Sequence, residues 1–286
     1  LQEESNGFAQ SGLRFFCALY IIRLILHFWE EIMRQKTVWI TGASSGIGME
    51  FARQYAQKGY RLILTARRRE RLEALEKELH VPCRIEVCDL SQEEECYRIC
   101  NRISDEAIDV FINNAGMGAY GSFLETSLEK EITMLHLNDR AMHILMKQML
   151  LQMQKRGSGT ILNVASSAGL FPGGPYMAAY YASKAYVVSL TRAVSEELRQ
   201  LQSPVYVCAL CPGPVNTEFN AHADVHSALN GISAKRCVRE AFYGMKRHKT
   251  ILVPTLLMRL GCSAQRLLPA RLLLPLVAHQ QKKKGR

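Results

Sequence analysis

A single α/β domain built on a parallel, doubly wound sheet in three layers is the fold class this chain predicts. Two features predict it. From Thr37 onward, short apolar runs rich in β-branched residues alternate with segments of helical length. Each run also ends in a turn of small or polar residues: Gly42 to Gly48, Asn113-Asn114-Ala115-Gly116, Ser166-Ser167 and Pro212-Gly213. In sheets of this kind ligands bind outside the carboxyl ends of the strands, which is where these turns fall. With 286 residues, 48% hydrophobic and 22% charged, the chain is long enough to bury a full core.

The elements follow in order. Thr37 to Thr41 reads as a strand feeding Gly42-Ala43-Ser44-Ser45-Gly46-Ile47-Gly48, after which a helix runs to Lys58 and Gly59. Strand, glycine turn and helix N-terminus together form a cradle for a phosphate, because glycine permits close backbone approach and the free N–H groups face an anion. A plain glycine-rich turn is the alternative. The next strand, Arg61 to Thr65, ends in Ala66-Arg67-Arg68-Arg69. An acid near this strand end would bind a ribose 2′-hydroxyl, whereas arginine accommodates a 2′-phosphate, so NADP(H) is the expected cofactor, with Arg67 as the candidate ligand. Arg68, Arg69 and Arg71 also read as the charged start of a helix.

Strand Arg84 to Cys88 ends in Asp89-Leu90, and a helix then runs to Ser104. Strand Val110 to Ile112 leads into Asn113, and a long helix carries Asn138. Thr160 to Ala165 and Val205 to Leu210 are the following strands, with Thr250 to Val253 as the last.

Between them lies Tyr180-Tyr181-Ala182-Ser183-Lys184. On a helix the Tyr180 phenol and the Lys184 ammonium share one face, one turn apart. A free tyrosine has a pKa of about 10, and a neighbouring ammonium is expected to draw it towards neutrality and make it a general acid or base. Tyrosine and lysine at this spacing also occur as a solvated surface pair.

The formal charge is +10, from 36 Lys+Arg against 26 Asp+Glu. No acid follows Ala241, and the ten basic residues beyond it, Lys246 to Arg286, account for the whole excess. The body is therefore neutral and the tail basic. A nucleic-acid partner is not expected, since the basic tail after Tyr243 has no aromatic to stack on a base. Nine cysteines with no framework spacing suggest a reducing compartment. Cys208 and Cys211 lie three apart in a strand and should face opposite sides of the sheet, as structural thiols and not metal ligands. No metal site is expected.

Residues 1–32 stand apart from the domain. Leu13 to Trp29 is apolar, but Arg14, Arg23 and His27 leave no run of the roughly 20 residues that a spanning helix needs. Two readings remain: a helix lying on a membrane surface, or translated sequence upstream of a native start at Met33. The second is favoured, because Trp29-Glu30-Glu31 can be encoded by a purine-rich ribosome-binding stretch.

From Gln35 to about Thr217 the chain resembles the short-chain dehydrogenase/reductase family. It carries in order Thr-Gly-x-x-x-Gly-x-Gly from Thr41 to Gly48, Asn-Asn-Ala-Gly from Asn113 to Gly116, a serine, Tyr-x-x-x-Lys and Pro-Gly. The resemblance implies a Rossmann-type fold and an NADP-dependent oxidoreductase, similar to ketosteroid and ketoacyl reductases. It implies Tyr180 as general acid/base, Lys184 on the nicotinamide ribose, and Asn138 supporting a relay water. The family's usual interval of thirteen residues selects Ser167 over Ser166 as the carbonyl-orienting serine. It further implies cofactor contacts at Gly42, Ser44, Ser45, Gly46, Ile47, Gly48, Arg67, Asp89, Leu90, Asn114, Ala115, Gly116, Pro212, Gly213, Val215 and Thr217. Cys211 precedes the Pro-Gly motif, so alkylation there is expected to obstruct the cofactor.

The domain layout expected is thus residues 1–32 as an apolar segment, 33–254 as the catalytic domain and 255–286 as a basic, leucine-rich extension. Glu218 to Ile232 lies where the family has its substrate lid. The extension reads either as a helix packed over the domain or as a surface resting on anionic lipid. The expected activity interconverts a hydrophobic ketone or aldehyde with its alcohol, hydroxysteroid and 3-ketoacyl types being favoured. An NADPH-binding sensor or membrane-associated scaffold is the rival, although Ser167, Tyr180 and Lys184 are all present. Expected partners are a small hydrophobic substrate and further copies of the chain, as a dimer or tetramer. The expected location is cytoplasmic, with peripheral membrane contact through the termini as an option and the endoplasmic reticulum if the source is eukaryotic.

Overall fold

The computed structural model describes residues 34–219 and 231–283. The apolar N-terminal segment, most of the stretch assigned to a lid and the last three residues lie outside it. From Thr37 onward the chain forms one unit, which includes the C-terminal extension.

Five alternating units build the sheet. They are β1 (Thr37–Thr41), α1 (Gly46–Ala56), β2 (Arg61–Ala66), α2 (Arg69–Leu79), β3 (Cys83–Val87), α3 (Glu93–Arg102), β4 (Ile108–Asn113), α4 (Leu128–Leu135), α5 (Met142–Arg156), β5 (Thr160–Val164), α6 (Ala178–Gln200) and β6 (Tyr206–Leu210). A short pair follows, β7 (Val215–Asn216) with β8 (Ile232–Ser233), then α7 (Ala234–Lys246) and β9 (Ile251–Leu252). The strands lie in the order β3-β2-β1-β4-β5-β6-β9, and every pairing is parallel. Strand order reverses between β1 and β4, so the crevice outside their carboxyl ends is where a dinucleotide sheet binds its ligand.

Parallel strands covered on both faces need continuous apolar runs, and β1 is buried at all five positions. Alternate residues feed two cores. Trp39, Ile63, Phe111, Ile161 and Val207 pack on one face. Val38, Ile40, Leu62, Leu64, Ile112, Leu162 and Leu210 pack on the other. Cys208 and Cys211 belong to opposite cores, as their spacing required, and no cluster able to hold a metal occurs among the described residues. Two buried asparagines bind the sheet to its helices. Asn113 Nδ2 donates to the Met142 carbonyl (2.9 Å) and to Asn163 Oδ1 (3.2 Å), while Asn163 Nδ2 donates to Thr191 Oγ1 (3.0 Å).

One feature differs from the sequence reading, and one of the two readings of the extension is realised. The helix carrying Asn138 is not continuous: a π turn, His136–Ala141, separates α4 from α5. Such a turn inserts one residue into the ladder and rotates the side chains that follow. The extension is also helical, with α8 (Leu256–Ala264) and α9 (Ala270–Lys282) joined by a 3₁₀ turn. It packs on the domain: Gln265 Nε2 donates to the Leu170 carbonyl (2.8 Å), and Gln281 donates to the Tyr181 hydroxyl. Among the described residues no helix is long and apolar enough to cross a membrane.

Phe111 is fully buried at the centre of the sheet, its ring stacked 4.4 Å from that of Trp39. Phe111→Ala should therefore cost about 3–5 kcal/mol of stability, read as a lower denaturation midpoint at unchanged slope.

Candidate active site

The carboxyl ends of β1, β2, β4, β5 and β6 open into one cleft of about 540 Å³. Its floor is the glycine turn after β1. Gly42 and Gly46 have φ of 64° and 54°, a backbone that side chains disfavour. At Gly48 a Cβ would collide with the Gly42 carbonyl oxygen, so helix and turn can close up only around glycine. Thr41 Oγ1 accepts from the backbone N–H of Asn114 (2.9 Å) and Ala115 (3.0 Å), and Asn114 Nδ2 donates back to the Thr41 carbonyl (2.9 Å). These bonds lock the ends of β1 and β4 together and leave the start of α1 facing the cleft. Glycines in strained conformations, a helix N-terminus and the Ser44 and Ser45 hydroxyls are a donor set that fits a dinucleotide phosphate.

Ser44, Ser45, Gly46, Ile47, Arg67, Asp89, Leu90, Asn114, Ala115, Gly116, Pro212, Gly213, Val215 and Thr217 all line this cleft with Gly42. Asp89 is occupied locally, accepting from the Ser91 N–H (3.1 Å) and hydroxyl (2.8 Å). Thr217 lies over the glycine turn, close enough that a Cβ on Gly46 would come within 3.1 Å of it. Arg67 is exposed at the rim. Arg68, which the sequence also allowed as a helix start, turns inward and donates to Ser44 Oγ (3.2 Å). It is a second candidate for the same anion.

Tyr180 and Lys184 lie in the first two turns of α6, both buried. Lys184 Nζ donates to the Val164 carbonyl at the end of β5 (3.1 Å) and stands 5.9 Å from the Tyr180 ring centroid. The π turn places Asn138 beside them. Its Oδ1 accepts from the Met117 N–H (2.9 Å), and its Nδ2 donates to the Met117 carbonyl (2.9 Å) and to Ser183 Oγ (3.1 Å). Ser183 Oγ in turn donates to the Tyr180 carbonyl (2.8 Å). Gly116 gives these groups room: a Cβ there would lie 3.0 Å from Asn138 Oδ1 and 3.3 Å from Lys184 Nζ. Ser183 was not singled out from the sequence, although its place three residues after Tyr180 puts it on the same helix face.

Both serines line the cleft, and Ser166, not the expected Ser167, is the one whose hydroxyl acts on the Tyr180 phenol. Ser166 is extended and buried, its Oγ also accepting the Ala168 N–H (3.1 Å), whereas Ser167 has entered the 3₁₀ turn Ser167–Leu170 with its N–H on the Pro212 carbonyl (2.8 Å). The interval to the tyrosine is thus fourteen residues. The loop between Phe171 and Met177, where Tyr176 takes φ of 66°, lies between the 3₁₀ turn and α6.

Burial acts against the effect expected of the ammonium on the phenol. Burial pushes the Tyr180 phenol up to about 12, and the Ser166 hydrogen bond only partly offsets it. Lys184 is itself pushed down to about 8 by burial, with the Asp139 carboxylate acting the other way. Desolvation of both groups outweighs the attraction of the ammonium for a phenolate. Asp139 is raised to about 6 by burial, and its Oδ1 is a buried oxygen with no hydrogen-bond partner. Cys211 is fully buried and burial pushes its thiol up to about 12, which works against the alkylation that its position suggested.

Comparison with known proteins now adds the family. The sequence profile named short chain dehydrogenase matches residues 36–227. The chain belongs to that family. A short-chain dehydrogenase from Sphingobium yanoikuyae, solved in complex with NADPH, is 31% identical, covers 81% of this chain and 94% of its own, and superposes with a TM-score of 0.73. The bulky-bulky ketone specific alcohol dehydrogenase of Comamonas testosteroni is 28% identical, with coverage of 81% and 93% and a TM-score of 0.69. The 3-oxoacyl-acyl-carrier-protein reductase of Rickettsia prowazekii is 31% identical over 184 residues, 64% of this chain and 74% of that one. This short-chain dehydrogenase is therefore a Rossmann-type oxidoreductase, the fold and reaction class that its motifs implied.

If Ser166 is the working serine, Ser166→Ala should lower kcat about a hundredfold or more. Ser167→Ala should stay near wild type. Tyr180→Phe should lose about 10²–10⁴ in kcat, while Tyr181→Phe, whose hydroxyl meets Gln281 in the extension, keeps turnover. Steady-state rates of the four variants, with NADPH binding followed by fluorescence, check this.

Proposed function

We propose that the protein is an NADP(H)-dependent carbonyl reductase acting on a bulky hydrophobic ketone or aldehyde, with oxidation of the corresponding alcohol as the reverse reaction. The observation that carries it is the single cleft that Ser166, Tyr180 and Lys184 share with Ser44 and the arginines after β2. When bound, NADPH supplies a hydride to the carbonyl carbon. Ser166 and Tyr180 donate hydrogen bonds to the carbonyl oxygen as negative charge develops on it, and Tyr180 gives up its proton. Lys184, fixed by the Val164 carbonyl, holds the ribose, and Asn138 supports the water that reprotonates the pair.

The hydrophobic character of the substrate follows from the walls of the cleft. Met117, Leu137, Met177, Tyr181 and Phe219 line it beside the serine and tyrosine. The extension adds a roof: Met258 packs against Gly213 and Leu274 against Gly173. The solved relative specific for bulky-bulky ketones and the oxoacyl reductase relative support a large acyl, aryl or steroid-like substrate. Copies of the chain assembling as a dimer or tetramer, and contact of the leucine-rich extension with a membrane surface, belong to the same proposal. A sensor without turnover is disfavoured by the intact serine, tyrosine and lysine.

NADPH oxidation should be detectable with a panel of bulky ketones, ketosteroids and ketoacyl thioesters, and undetectable with all of them if the protein is only a sensor. Arg67→Ala and Arg68→Ala should each weaken NADPH by about ten- to a hundredfold, the loss of one charged hydrogen bond, while sparing NADH. Equal loss of both cofactors would assign these arginines to the fold alone.

A further inference from the structure

The arginines after β2 already hold an anion supplied by the chain. Arg71 donates to both carboxylate oxygens of Glu218 (2.5 and 2.6 Å), and one guanidinium nitrogen of Arg68 reaches the same carboxylate at 3.3 Å. The other terminal nitrogen of Arg68 donates to Ser44 Oγ on the glycine turn. Thr217 and Phe219, on either side of Glu218, line the cleft, and so do Arg67, Arg68, Ser44 and Ser45. Glu218 thus comes from the far side of the cleft, beyond β7, to the place at the end of β2 where an acid of the strand itself would otherwise be.

We infer that Glu218 is an internal counter-anion that competes with the 2′-phosphate of the cofactor for Arg68 and so sets the selectivity between NADPH and NADH. This rests on the proposed NADP(H) reading. The division of labour is visible in the distances. Arg71 makes the short bonds and anchors the carboxylate, whereas Arg68 makes the long one and is shared with Ser44. A dianionic phosphate meeting Arg68 and Ser44 has a carboxylate as its neighbour, and like charges at that range oppose one another. Glu218 therefore lowers the affinity for NADPH below what Arg67, Arg68 and Ser44 alone would give. It has no such effect on NADH, whose ribose carries a neutral hydroxyl there. The carboxylate is shifted below its ordinary value, chiefly by the Arg71 hydrogen bond, so it stays charged throughout the neutral region.

The test uses the full chain and binding, not turnover. Adenosine 2′,5′-bisphosphate and 5′-ADP are titrated calorimetrically into wild type and Glu218→Gln, a substitution that keeps size and hydrogen bonding but removes the charge. For this partly exposed pair, the variant should bind the bisphosphate about two- to fivefold more tightly than wild type, with 5′-ADP unchanged. The gain should shrink as salt is raised, since screening weakens the same repulsion in wild type. A variant that binds the bisphosphate with unchanged or weaker affinity overturns the inference, the weaker case making Glu218 a residue that positions Arg68. Both measurements leave the NADP(H) reading standing if wild type prefers the bisphosphate to 5′-ADP. Wild type and variant that both show no such preference overturn that reading and the inference together.

Discussion

Burying an ammonium and a phenol side by side is the constraint on which the rest of this structure depends. Lys184 and Tyr180 are both almost fully removed from water. An ammonium in such a place is tolerated only with partners, and the Val164 carbonyl at the end of β5 is one. The surrounding elements are shaped to keep that geometry. Gly169 must be glycine because the 3₁₀ turn runs against the backbone of Lys184, where a Cβ would collide. Gly116 leaves the space into which Asn138 and Lys184 both project. The π turn brings Asn138 round to meet Met117 and Ser183, and Ser183 then holds the carbonyl of Tyr180. The sheet supplies the ends, and the irregular turns supply the aim.

Most of the sheet was legible in the sequence because burial on both faces forces an apolar run that few other structures require. Boundaries moved by one or two residues: β4 begins at Ile108 and not Val110, and α1 stops at Ala56 and not Lys58. The cleft was legible too, since every strand-end motif lines it or braces it. Three details were not. The π turn cannot be read from periodicity, because one inserted residue looks like ordinary drift in a long helix. Ser166 was passed over because a fixed interval was counted across a loop whose length varies, and only the effect of its hydroxyl on the Tyr180 phenol favours it. Arg68 looked like the charged start of a helix, and it is one, but as the residue flanking α2 it also reaches Ser44.

The extension was read in two ways, and the first describes what the residues do. Leu273, Val277 and Gln281 of α9 are buried, and Gln281 meets Tyr181 beside the working tyrosine. Leu257 and Leu267 meanwhile remain 80% and 86% exposed, so the outer surface of the extension stays apolar while its inner one packs on the domain.

The central claim is that the fold buries Tyr180 beside Ser166 and Lys184, and that this burial favours its neutral phenol. Ultraviolet difference titration of wild type against Tyr180→Phe, read immediately after a pH jump on cofactor-free protein, tests it most directly. The account predicts no tyrosinate signal from Tyr180 below about pH 10, the ordinary tyrosine value, with ionisation only near 12. A difference signal already present between about pH 7 and 8, well under the ordinary tyrosine value, would contradict it.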